Sequence, residues 1–438
     1  MASIPQVAQA MQDVLTETAN RAARATGMIQ RERAISGAQF VQTLVFGWLA
    51  EPTAILEELV TMAAALGVTI TPQGLSARFT PAAVACLRQV VEAAIGQVIA
   101  ADPLTIPLLA RFPAVLLQDS TTISLPAVLA DQFRGCGGNP GQGTAALKAQ
   151  VRLELRTGQV AGPLFQDGRA SDRAVAFRER PVVGSVVLRD LGYFHLDDMA
   201  ADARTGRFWV SRLKAFTALF AAGERLDLLV LLKACPTETL DLPVAIGSTQ
   251  RIAGRLLAVR VPQEVADQRR RRMQQAARKK GRQVSALQLA LCAWTLVVTN
   301  VPADQLTLIE ALVLLKLRWQ LELLFKLWKS HGHVDESRGH RPERVLAEVY
   351  AKFVGMLIQH WLLLTGCWHA PDRSLPKAAK VVRAAARSLG CALASPRRLR
   401  AALRALMADL ARAGRQRRRI RHPNAYQLLQ DPALLSLT

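Results

Sequence analysis

Acidic residues are scarce in this chain. Its 438 residues hold 34 Asp plus Glu against 56 Lys plus Arg, a net charge of +22. Such an imbalance costs self-repulsion unless a polyanion offsets it. Nucleic acid is the first candidate partner and an anionic membrane surface the second. Arginine greatly outnumbers lysine, which favours forked contacts to phosphate over point charges. Paired cysteines are missing too. Cys86, Cys136, Cys235, Cys292, Cys367 and Cys391 are scattered, with no Cys-x-x-Cys spacing. That excludes a disulfide framework and argues against a cysteine zinc site. The start, Met-Ala-Ser-Ile-Pro, lacks the basic residues and apolar run of a secretory signal. No internal repeat of fixed period is visible. Charge is absent from two long stretches, 283–303 and 353–371. Asn300 and Pro302 interrupt the first, and Gln359, His360 and His369 the second. Both read as buried core, so a soluble cytoplasmic protein with no membrane contact is expected. Half of the residues are hydrophobic, ample for packed cores and incompatible with a disordered chain.

Three sections follow from periodicity. Residues 1–105 read as a helical N-terminal region, with apolar residues at three- and four-residue steps through Ile55, Leu56, Leu59, Val60 and Ala63. A break at Gly67-Val68 precedes a second short helix, with Thr71 as N-cap and Pro72 at its first position. Two helices about a tight turn fit either a DNA-reading helix-turn-helix or an ordinary helical hairpin. Residues 106–335 read as a mixed sheet flanked by helices. Apolar or alternating runs at 114–118, 146–156, 160–165, 185–189 and 208–211 are expected strands, the second and third forming a hairpin around Thr157-Gly158-Gln159. A mostly β insertion is expected at 213–292, with strands at 228–232, 242–246 and 252–261. A basic helix follows, carrying Arg269, Arg270, Arg271, Arg272, Arg278, Lys279, Lys280 and Arg282. Trp294–Thr299 returns to strand, and one long helix is expected from about Asp304 to Ser330. Residues 336–438 read as a basic helical C-terminal region. Between 371 and 421 it holds fifteen Lys plus Arg against two Asp, a net +13 that suits a phosphate-binding surface.

Three acids stand out by position. Asp119 ends the run Leu116-Leu117-Gln118, Asp190 ends Val186-Val187-Leu188-Arg189, and Glu322 lies inside the long helix. A carboxylate is costly to bury unless paired or bound to metal. Two strand-end acids and a helix acid can converge at one pole of a sheet and coordinate two Mg²⁺ ions. Such a pair of ions, about 4 Å apart, clamps the attacking and leaving oxygens of a phosphodiester displacement. Taken singly, each acid is more often a turn cap or half of a surface ion pair, so the case rests on the combination. Arg318, Glu322 and Lys329 are spaced by four and seven residues, which places them on one helix face. The plain alternative for the first two is a surface ion pair. The glycine-rich segment Gly135–Gly143 lacks the Gly-Lys-Ser/Thr ending of a phosphate-binding loop and reads as a flexible connection.

The pattern Arg318-x3-Glu322-x6-Lys329 resembles the Tyr-Arg-Glu-Lys signature of IS-four-like DDE insertion-sequence transposases. Val298-Thr299-Asn300-Val301-Pro302 resembles the strand and turn leading into that helix. Asp119-Ser120-Thr121 is similar to the first acid motif, and Asp190-Leu191-Gly192-Tyr193-Phe194, with Val210-Ser211-Arg212-Leu213-Lys214 downstream, to the second. The likeness runs from about 114 to 335, and Arg417-Arg418-Arg419-Ile420-Arg421-His422 resembles family tails.

The resemblance implies an α+β or α/β, RNase H-like catalytic domain, a mixed sheet flanked by helices, with a mostly β insertion before the Glu helix. It implies Asp119, Asp190 and Glu322 as catalytic ligands of two Mg²⁺ ions, for which Mn²⁺ can substitute. It implies Arg318 and Lys329 as contacts to transposon-end DNA, with Arg212, Arg417, Arg418 and Arg419 as further DNA contacts. Trp294 is a candidate for stacking on a flipped base, or else a core residue. The implied partners are double-stranded DNA (terminal inverted repeats and target) and a second copy in the end complex, in a bacterial, nucleoid-associated setting. The implied activity is end cleavage and strand transfer by 3′-OH attack. The alternatives are a nuclease without strand transfer and a non-catalytic DNA-binding regulator. Two positions depart from the pattern: Leu315 stands where the signature has tyrosine, and His195 where an aromatic is usual, with Phe194 one step early.

Overall fold

The computed structural model describes residues 2–435 apart from 32–33, 138–143, 173–176, 178–179, 371 and 417–422. Among the described residues ten strands form one sheet: β1 (Val115–Leu125), β2 (Ala145–Glu154), β3 (Val160–Asp167), β4 (Val186–Arg189), β5 (Phe208–Arg212), β6 (Leu219–Ala221), β7 (Glu224–Arg225), β8 (Thr239–Ile246), β9 (Ile252–Arg260) and β10 (Trp294–Thr299). Their order is β3-β2-β1-β4-β5-β10-β9-β8-β6-β7. β1, β4 and β5 run parallel, and the neighbouring pairs on either side of them are antiparallel. Three antiparallel strands leading into two parallel ones, flanked by helices, make an α+β RNase H-like mixed sheet. β1 explains its own place. Val115, Leu116 and Leu117 are all buried, whereas from Thr121 onward buried and exposed residues alternate. The strand is covered on both faces where it starts and on one where it ends.

The hairpin expected at 146–165 forms as β2 and β3. Its turn carries Gly158 at φ +70. A Cβ there would also lie 2.3 Å from Leu364, so only glycine lets the helix Pro342–Cys367 pass so close. That helix holds much of the second uncharged stretch, and twenty of its 26 residues are buried. The first uncharged stretch becomes the helix Ala286–Leu291 and β10. Among the described residues no helix is long and apolar enough to cross a membrane.

The insertion departs from a separate unit in one respect. Its strands extend the main sheet beyond β10. The run at 228–232 is not a strand. Asp227 accepts hydrogen bonds from the Leu229 and Val230 N–H groups and caps a helix, Leu228–Ala234. A short apolar run suits either state, and the capping carboxylate decides it. The helix expected over 304–330 is also broken. It runs Leu308–Lys316, then Trp319–Lys326, then a wider turn over Leu327–His331. At the break the bonds tighten to three-residue steps, Leu317 N–H to Leu314 and Gln320 N–H to Leu317. Leu317 is fully buried while Arg318 turns toward the sheet, and this local tightening serves both.

The N- and C-terminal helices pack on one another. Gly37–Ala50 and Pro81–Ile95 lie against Pro342–Cys367, and one apolar core runs from them into the first half of the sheet. Thr71 caps the short helix as expected, accepting from the Gly74 N–H at 3.0 Å. That helix, Pro72–Ser76, has only five residues. A second, smaller core of Phe194, Met199, Trp209, Ile246, Leu256 and Val298 lies under the insertion.

Candidate active site

Sheet register brings the first two acids together. Leu117 of β1 pairs with Leu188 of β4, so two residues further on Asp119 and Asp190 stand side by side. Asp190 follows the last residue of β4, at the carboxyl pole of the parallel strands, whereas Asp119, expected at a strand end, lies beside it within β1, which runs on to Leu125. Arg318 spans them. One guanidinium nitrogen donates to Asp190 Oδ1 at 2.9 Å and the other approaches Asp119 Oδ2 at 3.4 Å. Asp119 Oδ1 also accepts the Ser120 N–H at 2.8 Å. Burial pushes the Asp119 carboxyl above the usual carboxylate range. The Ser120 N–H and Arg318 oppose that rise, and the neighbouring Asp190 charge adds to it.

The third acid stays apart. Glu322 lies one turn beyond Arg318 on Trp319–Lys326 and is exposed. Among the described residues no three His, Cys, Asp or Glu side chains are grouped so as to hold a metal ion. Lys329, by contrast, reaches β1. Its ammonium donates to the Thr122 carbonyl at 2.7 Å, three residues beyond Asp119. Arg212 ends β5 next to this pole, since Ser211 pairs with Arg189, and it is exposed. Trp294 is 7% exposed and packs with Leu232, Cys235 and Ala258. The Arg260 guanidinium lies 4.7 Å from its ring centroid, so no open face remains for a base. Arg417, Arg418 and Arg419 fall outside the described residues. Of the two departures, Phe194 is buried beside Met199 and Trp209, so it supplies the aromatic one step early, while His195 precedes the helix Leu196–Arg204. Leu315 packs against the main core.

Sequence reasoning missed a polar layer behind the acids. Ser120 Oγ donates to Asp172 at 3.1 Å, and Lys148, opposite Thr122 on β2, reaches the same carboxylate at 3.1 Å. Tyr193 lies within their field, and burial, then the Asp172, Asp119 and Asp190 charges, push its phenol above its ordinary range. Asp172 is in a loop, so no periodicity announces it. A further anchor was equally hidden. Glu348 and Lys352, both almost wholly buried, pair at 2.8 Å, and Lys352 also donates to the His333 and Glu336 carbonyls at 2.8 Å. This ties down the chain just after Lys329.

Residues 110–358, which include all ten strands, match the family described as Transposase DDE domain. The chain is 25% identical over 382 residues to the transposase for insertion sequence element IS231F of Bacillus thuringiensis subsp. israelensis, covering 81% of this chain and 79% of that one. It is 24% identical over 369 residues to the transposase for insertion sequence element IS1151 of Clostridium perfringens, covering 79% and 78%. It is 27% identical over 229 residues to the putative transposase InsL for insertion sequence element IS186A of Escherichia coli (strain K12), covering 50% and 61%.

Proposed function

This chain belongs to the DDE-domain transposase family, and on that premise we propose that it cleaves DNA at the ends of a mobile element and joins the freed 3′-OH to a target phosphodiester. One observation carries the reading: two carboxylates side by side on parallel neighbours, Asp119 within β1 and Asp190 just past β4, face a single cation, Arg318. Two carboxylates close enough to share a guanidinium form an anionic pole that suits a divalent ion. Asp119 and Asp190 would hold Mg²⁺ there, with Glu322 joining from the helix one turn past Arg318. Bound there, the ions would supply an activated water at neutral pH and charge neutralisation on the leaving oxygen.

The remaining work falls to the chain itself. Ser120 fixes the Asp119 carboxylate through its N–H. Lys148, Ser120 and Asp172 brace β1 from behind. Arg318 and Lys329, both at β1, offer their charge to phosphates near the scissile one. The N-terminal helices, the basic segment at 371–421 and Arg212 would hold duplex DNA. Two ends must be brought together for joining, so the working form would be a dimer.

The test is cleavage of an end duplex with Mg²⁺ or Mn²⁺. Asp119→Ala is expected to abolish nicking, a drop of at least about a thousandfold if it supplies ion-based catalysis, while end-duplex affinity is retained. Full nicking by Asp119→Ala would remove the site from consideration. Precleaved ends given to the wild type separate a transposase, which joins them, from a nuclease, which does not.

A further inference from the structure

The helix Gln263–Lys279 has no part in the reading above. Residues 268–303 contain eight Lys plus Arg and no acid. Two of those bases are used to fix the helix. Arg269 donates to the Trp294 carbonyl at 3.0 Å and to Thr295 Oγ1 at 3.1 Å, and Arg270 donates to the Leu289 carbonyl at 3.2 Å. The other six, Arg271, Arg272, Arg278, Lys279, Lys280 and Arg282, are exposed. None of these six has an ion-pair partner among the described residues. Arg271 and Arg278 are seven apart, as are Arg272 and Lys279, so the four form two adjacent rows, each about 10 Å long, on the exposed side of the helix. Four cations in two adjacent rows, without ion-pair partners among the described residues, repel one another, and a polyanion relieves that cost.

The sheet fixes where this stripe stands. Asp119, Asp190 and Arg212 lie on successive neighbours at the carboxyl pole. β10 is the next strand, with Val297 opposite Arg212, and it runs antiparallel. Its first residues, Trp294 and Thr295, therefore lie toward the same pole, where Arg269 clamps the helix. Arg212 is close enough that its charge, after burial, lowers the Arg269 pKa. From Asp119 to β10 is three strand spacings, about 14 Å. That is the rise of about four base pairs of duplex.

We propose that the exposed face of Gln263–Lys279 is a docking surface for the flanking donor duplex, the DNA outside the element that is continuous with its end. This rests on the transposase reading. The stripe is made of cations that bind phosphate, and phosphate contacts position a duplex without reading it. The flank differs in sequence at every insertion, so a sequence-independent grip is what it requires. It also leaves the scissile phosphate directly, so it meets the clamped part of the helix, at Arg269, about four base pairs away and the exposed cations beyond that.

The experiment compares wild type with the quadruple variant Arg271→Gln, Arg272→Gln, Arg278→Gln, Lys279→Gln. All four positions are exposed, and equal thermal melting shows that the fold is retained. Affinities are measured between 50 and 200 mM salt for three duplexes: an element end with a 20-base-pair flank, the same end cut flush, and an unrelated duplex. The expected result is an affinity loss of tenfold or more for the flanked end, a salt slope shallower by about 0.9 for each phosphate contact removed, and unchanged affinity for the flush end. Equal losses on both ends would place the contact on the element side and overturn the proposal. So would a loss confined to capture of the unrelated duplex, which would assign the helix to target DNA, and so would no loss at all. Nicking of the flanked end by the wild type tests the transposase reading separately. A flank-specific loss without nicking keeps the surface and removes that reading.

Discussion

Arg318 faces two carboxylates from a position that a divalent cation would also favour. A guanidinium cannot be deprotonated near neutrality, so it competes with any metal at the same pole. A phosphate drawn close to Arg318 offers it a second anionic partner and frees the acids. Arg318→Gln is therefore expected to raise Mn²⁺ affinity in the absence of DNA by several-fold to about tenfold, the higher figure being worth about 1.4 kcal/mol. The groups are partly exposed, which keeps the effect modest. Titration at pH 8 followed by the Mn²⁺ resonance reads it directly. The same variant is expected to lose strand transfer, because its phosphate contact is gone. Unchanged Mn²⁺ affinity would show that the guanidinium and the ion use different space. The residue was legible as a member of Arg-x3-Glu-x6-Lys, but its pairing was not. Spacing put Arg318 and Glu322 on one face and suggested that they pair with each other. The acids across the sheet win because Leu317 must be buried, and the tightened turn this requires rotates Arg318 inward.

At the scale of elements, Pro342–Cys367 holds the sheet by its hairpin. His360 Nε2 lies 2.8 Å from the Gly158 carbonyl, and Trp368 Nε1 donates to the Arg156 carbonyl at 2.9 Å. Burial lowers the His360 pKa from its ordinary value, and the Gly158 carbonyl offsets this only in part. The unfolded chain protonates His360 near pH 6.5 while the folded chain resists. The unfolded state thus binds the extra proton, and stability present above pH 6.5 is lost as the pH falls below it. Denaturant unfolding between pH 7.5 and 5.5 is expected to show that loss. His360→Gln, which keeps a donor for Gly158, is expected to flatten this part of the profile. An identical slope in the variant would assign the acid sensitivity elsewhere. Element boundaries were legible where punctuation was strong, as at Thr71-Pro72 and Thr157-Gly158. They were hidden where the apolar pattern ran on unbroken, as through Leu312–Phe325, or where one capping carboxylate turned the 228–232 run into helix. Trp294 shows the same limit, since a strand aromatic can face out or in, and only the packing of Leu232 and Ala258 decides it.

For the whole molecule, the net charge of +22 becomes a statement about DNA affinity and its dependence on salt. The segment 371–421 carries +13 of it. Its helices, Leu375–Ala392 and Pro396–Arg412, turn leucines and alanines inward and leave their arginines outside, except for Arg383, which donates to the His331 carbonyl. Replacing Arg397, Arg398, Arg400 and Arg404 by Gln is expected to lower non-specific duplex affinity and to reduce the slope of log K against log salt by up to about 3.6 if all four meet phosphates. An unchanged slope would mean that these arginines face only solvent. The strands as far as β5, and the pairing of β2 with β3, were within reach of sequence reasoning, because apolar runs and a glycine turn mark them. The union of insertion and core in one sheet was not, since pairing β10 with both β5 and β9 joins residues that are far apart in the chain.

That union has a consequence for length. β9 and β10 are hydrogen-bonded to each other and, through β5 and β4, to β1. Arg255 of β9 also grips the Val301 and Leu306 carbonyls at 3.0 and 2.9 Å, just ahead of the segment that carries Arg318. The arginine helix, clamped to β10 by Arg269, is thereby tied through the sheet to the two acids. The number of intervening strands therefore works as a ruler. Whatever polymer lies along that edge meets the acidic pole and the arginine stripe at a constant offset, graduated in strand widths.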